Sequence, residues 1–296
     1  MATVTSQDLL QAPPAAASPS AAGAVPGGAP SARRLAGRGS SWLKSLGLSL
    51  LLPLLIALLW EIAAAEQWLR PNQLPAPSAV IDEMVGLAKT GELWQHLAAT
   101  GERVLWGFLS GAAAATLLGA LTGYSRVARQ VLDPTFQALK AVPSLAWVPL
   151  FILWFGIFEL SKIVLIAVGV FFPIYLNLMT GILATDRKLV EVGQVYGLSR
   201  KQLVWRVLLP ATLPAYFTGL RGGLALGWMF VIAAELMGAS KGLGFLMLDG
   251  QMTGRPQVII GSLVLFAIVG KLTDSLLAWG ARRALAWQDS FSAMGR

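Results

Sequence analysis

The chain has no cysteine and only one histidine, His96, among 296 residues. Disulfides, a thiol nucleophile and thiolate metal sites are therefore excluded, although this absence names no compartment. One imidazole without nearby carboxylate pairs or other histidines makes a poor metal site, so His96 reads as a solvated or interfacial residue. Charge is scarce too. Asp, Glu, Lys and Arg make up 13% of the chain, against about 25% in an ordinary soluble domain. No G-x-x-x-x-G-K-[ST] run occurs, so the chain is not expected to hydrolyse ATP or to bind a cofactor of its own. The segment Gly238-Ala239-Ser240-Lys241-Gly242-Leu243-Gly244 invites that comparison, but its lysine is misplaced. Metalloprotease motifs and nucleophile elbows are also missing.

What remains is apolar. Hydrophobic residues make up 55% of the chain, which points to an all-α, polytopic membrane protein. A spanning helix needs ~20 apolar residues, and six stretches qualify: 46–65, 103–124, 139–158, 163–184, 215–237 and 257–281. The first follows Arg33, Arg34, Arg38 and Lys44 and ends near Ala63-Ala64-Ala65, as a cleaved signal peptide would. Its length favours a retained helix. Residues 1–40 are rich in Ala, Pro, Gly and Ser, cannot bury a core, and are expected to be a disordered cytoplasmic tail. The expected transmembrane domain is 41–284, followed by a short tail, 285–296. Ser78 to Leu97 reads as a surface helix or helix pair, capped by Ser78 and interrupted at Gly91. Pro143, Pro149 and Pro173 fall inside spans, where freed carbonyls need neighbours or a wet cavity.

The formal net charge of +8 need not mean nucleic acid, and none is expected as a partner. Fifteen of the twenty-three Lys and Arg lie before residue 45, in 124–140, in 182–213 and after 280. Five lie in the opposite segments: Arg70, Lys89, Lys162, Lys241 and Arg255. The positive-inside rule then puts both termini and the 182–213 segment in the cytoplasm.

That last segment has its own local logic. Thr185 or Asp186 can cap a first helix, with Leu189, Val192 and Tyr196 on one face. Gly197 breaks the pattern and can take a positive φ at a helix C-terminus. Ser199 with Gln202 forms a capping box for a second helix. Leu203, Val204, Val207 and Leu208 make its apolar face, and Pro210 is expected to end it. Arg200, Lys201 and Arg206 occupy the polar sides.

The spacing of Glu191, Gly197, Leu209 and Pro210 resembles the cytoplasmic coupling loop (here 185–210) of ABC-importer permeases of the binding-protein-dependent class. That family reads E-A-A, three residues, G, nine residues, I-x-L-P; here Val192 and Gly193 follow Glu191, and Val207 replaces the Ile. The tract AVPSLAWVPLFILWFG (141–156) and the run from Gly242 onward look most like permeases for aliphatic sulfonates; nitrate and taurine permeases belong to the same subfamily. The resemblance implies a type I ABC-importer permease fold with six transmembrane helices in a bacterial inner membrane. It also implies a second permease copy, two cytoplasmic ATP-binding subunits that use ATP and Mg, and a periplasmic or tethered solute-binding protein. Glu191, Gly193, Gly197, Ser199, Arg200, Leu203, Val207, Leu209 and Pro210 would couple to the ATPase.

Charges inside spans cost ~2.5–3.5 kcal/mol on insertion scales and are candidates for function. Arg221 either snorkels or meets an anionic solute or a carboxylate. Glu235 reads as a wet interfacial residue, and Lys271 and Asp274, three apart, can neutralise each other. Gly219, Gly223 and Gly227 form a smooth ridge, for packing within one subunit or between two. Arg221, Gly223, Gly227, Trp228 and Glu235 are the expected solute-path residues. An ion-coupled secondary transporter would also explain the charges, but it needs no coupling loop.

Overall fold

In hydrocarbon the backbone has only itself to hydrogen-bond with, and every regular element found is helical. The computed structural model describes residues 37–66, 68 and 73–287, with side chains described from 51 onward except at 144 and 200. Residues 1–36 and 288–296, which make up most of the two expected tails, lie outside the described residues. The chain divides at Leu55/Ile56 into two units, and the functional side chains all lie in the second.

The helices are α1 (Gly37–Ala65), α2 (Pro77–Lys89), α3 (Glu92–Tyr124), α4 (Arg126–Ala141), α5 (Val148–Phe155) and α6 (Glu159–Leu183), then α7 (Arg187–Val195), α8 (Arg200–Leu203), α9 (Leu209–Leu236), α10 (Leu243–Met252) and α11 (Pro256–Ala284). A single 3₁₀ turn, Ser144–Trp147, separates α4 from α5. A π-helical turn, Val204–Leu208, joins α8 to α9.

Helix α6 is the axis of the fold, held between α3 and α9 along two rows of glycine. On α9, a Cβ at Gly219 would stand 3.1 Å from the Ile174 backbone, and one at Gly223 would stand 3.0 Å from the Val170 carbonyl. On α3, a Cβ at Gly107 would run into Ile166, and one at Gly111 into Ala167. Both rows therefore let backbones approach where side chains would keep them apart. Ile166, Val170, Ile174 and Tyr175 of α6 are wholly buried as a result. Of the two alternatives for the α9 ridge, packing within one subunit is the one observed.

Four described helices are long and apolar enough to cross a bilayer: Glu92–Tyr124, Glu159–Leu183, Lys201–Leu236 and Pro256–Ala284. The expected third span is a broken pair instead. Helices α4 and α5 are bent by 87°. Val142, before Pro143, sits at ψ 123, because a residue preceding proline is pushed out of the helical region. The expected first span is represented by the shorter apolar stretch Leu51–Ala65 of α1. Four or five spans are thus counted among the described residues, against the six expected.

Two further expectations are corrected. Ser78 does not cap α2, whose N-cap is Ala76 with Pro77 in the first turn. Both the Ser78 hydroxyl and its N–H donate to the Glu61 carboxylate, at 2.8 and 3.1 Å. Nor does Pro210 end a helix. Lacking an N–H, it cannot bond the carbonyl of Arg206. The chain absorbs this with the π-helical turn, in which the Leu209 N–H reaches back to the Val204 carbonyl. The second coupling helix therefore runs on into α9.

Candidate functional site

The segment expected to couple, 185–210, is built from its own capping residues. Asp186 caps α7, its carboxylate accepting from the Lys188 N–H at 2.9 Å. At the other end Gly197 takes φ 72. The Leu198 N–H reaches the Gly193 carbonyl at 3.0 Å and the Gly197 N–H reaches Gln194 at 2.9 Å. These two bonds are a Schellman closure, which needs a left-handed residue at Gly197. The capping box follows at once: the Ser199 N–H donates to Gln202 Oε1 at 2.9 Å, and the Gln202 N–H donates to Ser199 Oγ at 3.4 Å.

Gly193 is the hinge of this pair. A Cβ there would lie 3.2 Å from Leu203 and 3.6 Å from Val207, so the two short helices pack directly across it. Leu203 and Val207 are half-buried on this inner side, and Glu191 and Ser199 face outward. Leu209 is 44% exposed, and Pro210 stands in the first turn of α9. Arg200 opens α8. Among the described residues, Val195 and Tyr196 are 87% and 82% exposed, and Leu189 and Val192 on the same face are half exposed. Behind the loop, Val204, Leu208, Thr212 and Tyr216 border an apolar cavity of about 390 Å³ whose other walls are Thr116, Tyr124, Leu178 and Ile182.

From Lys201 to Leu236 the chain is one continuous rod of 36 residues, about 54 Å long at ~1.5 Å per residue. Midway along it, Arg221 projects from the surface with its side chain 48% exposed and meets Asp274 of α11. The guanidinium Nε and Nη2 donate to the two carboxylate oxygens at 2.8 and 2.9 Å. Asp274 is thus taken by Arg221 instead of Lys271, because a planar fork satisfies both oxygens at once. Among the expected path residues, Arg221 alone has its side chain at the surface. Gly223 and Gly227 face α6. Trp228 is buried and donates its indole N–H to Thr273 at 2.9 Å, tying α9 to α11.

Glu235, at the distal end of the rod, is the clearest departure from expectation. It is wholly buried, not wet. Thr100 Oγ1 and Arg103 Nη1 both donate to its Oε1 at 2.8 Å, and the Gly244 N–H donates to Oε2 at 2.7 Å. A buried carboxylate survives only with such partners. The loop around it is fixed as well. The Gly242 N–H donates to His96 Nδ1 at 3.0 Å, and the Leu243 N–H to Thr100 at 2.8 Å. A Cβ at Gly242 would strike the carboxylate, and one at Gly244 would strike Glu235 Cβ. The glycine-rich segment that invited comparison with a phosphate loop does cradle an anion, but the anion is the chain's own Glu235. His96 is likewise no solvated residue; it is buried and stacks on Phe245.

Sequence reading missed Arg103, Glu159 and Lys162. Arg103 Nε and Nη2 donate to the two oxygens of Glu159 at 2.6 and 2.9 Å. Lys162 Nζ donates to Glu159 at 3.0 Å. The signal available was small: Arg103 stands at the edge of an apolar run, and Glu159 and Lys162 share a helix face. The described residues contain no group of His, Cys, Asp or Glu suited to a metal.

Comparison with known proteins agrees with this architecture. Residues 115–285 match the model for the binding-protein-dependent transport system inner membrane component. The chain is 39% identical to the putative aliphatic sulfonates transport permease protein SsuC of Bacillus subtilis, over 84% of this chain and 89% of the relative. It is 40% identical to the Escherichia coli protein of the same description, over 81% and 91% respectively. An inward-facing structure of the MetNI methionine ABC transporter superposes with a TM-score of 0.53 at 23% identity, covering 68% of this chain and 98% of that one, a likeness of fold. This multi-pass membrane chain belongs to the family of binding-protein-dependent transport system inner membrane components, the permeases of ABC importers.

Proposed function

We propose that this chain is the non-catalytic membrane subunit of an ATP-driven importer that moves a small organic anion, an aliphatic sulfonate, across a bacterial inner membrane. Two copies form the pore. Two cytoplasmic ATPase subunits dock on the coupling loops, and a soluble or tethered binding protein delivers the solute on the opposite side. Both termini and the coupling loop face the cytoplasm. ATP binding draws the coupling segments together and turns the pore from inward-open to outward-open, and hydrolysis resets it. The permease supplies differential binding between two states, which is all a transporter needs in order to bias an equilibrium.

The observation that carries this reading is the coupling segment. Its closure and capping box leave Leu189, Val192, Val195 and Tyr196 exposed, Val195 and Tyr196 almost fully so among the described residues. An apolar face of that kind fits a helix-in-groove contact with another subunit. It stands at the foot of a rod that passes Arg221 and ends at Glu235, so a push at the loop reaches every charged group on α9. The choice of a sulfonate follows the two SsuC relatives, described as aliphatic sulfonates permeases; nitrate and taurine are the alternatives within the subfamily.

The test is reconstitution in liposomes with the partner ATPase and binding protein, following labelled ethanesulfonate. Uptake should require ATP and the binding protein. Uptake driven by a proton or sodium gradient without the ATPase would identify a secondary transporter instead.

A further inference from the structure

Arg103 is held by one edge and offers the other. Its Nη1 donates to Glu235 and to the Lys241 carbonyl, at 2.8 and 2.6 Å. Glu235 closes the last turn of α9 and Lys241 lies in the hydrogen-bonded loop that follows it, so that edge is fixed. The remaining edge, Nε and Nη2, forks onto Glu159. Lys162 Nζ closes on the same carboxylate and lies 3.4 Å from the Ile157 carbonyl, which holds it in place from behind. Three members of the group are buried: side-chain exposure is 6% for Arg103, 7% for Lys162 and 0% for Glu235. Glu159 is 58% exposed. It is the first residue of α6, beyond the positive-φ Gly156, and among the described residues its side-chain partners are Arg103 and Lys162.

We infer that Arg103 and Lys162 form an acceptor site for a singly charged oxyanion, capped in this structure by the chain's own Glu159 carboxylate, which the incoming anion displaces. This rests on the reading of the chain as an anion permease, and it names where at the distal end of the bundle the anion is first held. Charge decides the class of ligand. With Glu159 in place, Arg103, Lys162, Glu159 and Glu235 sum to zero. With Glu159 turned outward, the buried remainder is one positive charge in excess, and a monoanion restores neutrality where a dianion overshoots. Burying an uncompensated charge is costly, so the site selects on valence. Geometry favours a sulfonate or a planar oxyanion: two oxygens fit the Nε/Nη2 fork, and a third lies toward Lys162. Displacement leaves Glu235 and its loop undisturbed, because they hold the opposite edge of the guanidinium.

The tethered Glu159 competes with free anion at an effective concentration of order millimolar. Removing it should therefore tighten binding. The experiment uses the purified full-length permease without ATPase, at fixed ionic strength in chloride, with melting followed against ethanesulfonate, sulfate and a short-chain phosphatidylglycerol. The half-maximal ethanesulfonate concentration is expected to fall about tenfold in Glu159→Ala, by loss of that competitor. Glu159→Gln keeps the side chain's volume, serves if the alanine variant melts too early, and should show the same direction. Adding Arg103→Lys, which keeps the charge but not the fork, should abolish the gain. Equal half-maximal concentrations in wild type and both Glu159 variants would overturn the site. So would a shift given only by phosphatidylglycerol, or one in which sulfate matches ethanesulfonate. The readout needs no nucleotide, so the site and the transport reading fail separately: binding without ATP-dependent uptake sinks the latter alone.

Discussion

Arg221 and Asp274 meet edge to edge across α9 and α11, two hydrogen bonds of 2.8 and 2.9 Å joining guanidinium and carboxylate between two spanning helices. The pair is not buried: the side chains are 48% and 29% exposed. In water such a pair is worth ~0.2–1 kcal/mol. Lipid is a poor solvent for it, so this face is best matched to a wet path or to a second subunit.

That relationship yields a paired prediction. Arg221→Gln leaves Asp274 as an unmatched carboxylate within a span, at a cost of order 2 kcal/mol, and should lower the yield of folded permease. Adding Asp274→Asn should restore the yield. Transport should stay slow in the double variant, because the fixed positive charge is gone. Full recovery of uptake in the double variant would assign Arg221 a packing role and no contact with the solute.

Gly242 and Gly244 allow a second prediction. An added Cβ at Gly242 must displace the Glu235 carboxylate and one at Gly244 presses on Glu235 Cβ, and Gly242 also sits at φ 129. Gly242→Ala should destabilise the distal end by ~1–3 kcal/mol, read as a lower melting temperature in detergent. Gly238→Ala is the control for φ alone, since Gly238 sits at φ 134 and its Cβ would meet nothing within 4 Å. An equal loss at both positions would mean that backbone strain, not the carboxylate, is what the glycine relieves.

These outcomes separate what the sequence could reveal from what it could not. The coupling segment was legible because its signals are local. Asp186, Gly197 and the Ser199–Gln202 box each act within a few residues, and each acts as the spacing suggested. The charged groups were not legible, because their partners are set by the fold. Arg103 finds Glu159 at a separation of 56 residues and Glu235 at 132. No window along the chain connects them. Asp274 had a plausible partner one turn away in Lys271 and took a distant one with better geometry. Pro210 misled for another reason: a missing N–H can end a helix or merely shift its bonding by one residue, and tertiary packing of α9 on α6 favours the second.

Topology is open to direct labelling, since a chain without cysteine gives clean single-site probes. Ser199 and Ser240 are both exposed, at opposite ends of the rod. Ser199→Cys should react with impermeant maleimide only after the cytoplasmic side is opened, and Ser240→Cys in intact cells. Reaction of Ser199→Cys in intact cells would invert the proposed orientation.

The turn at Gly197 carries the strongest consequence for coupling. Its φ of 72 is one that a β-branched residue adopts only under strain, costing ~1–3 kcal/mol. Space is not the obstacle, for a Cβ there would meet nothing within 4 Å. Strain in Gly197→Val therefore has one outlet: loss of the Leu198–Gly193 and Gly197–Gln194 bonds, which frees α7 from its angle to α8. Leu203 and Val207 then lose their seat across Gly193, and the outward face of Leu189, Val192 and Tyr196 is re-aimed. The bundle should be spared, since α3, α6 and α9 are held by glycine rows far from this turn. Gly197→Val should accordingly insert and melt within a few degrees of wild type, yet fail to retain the ATPase subunit or lose stimulated hydrolysis. Gly197→Asn, a residue that tolerates the left-handed region, should keep most of both. The measurement is ATPase copurification together with stimulated turnover in liposomes, both variants beside wild type. Normal coupling in Gly197→Val would reduce this segment to a basic connector and remove the main support for ATP-driven transport.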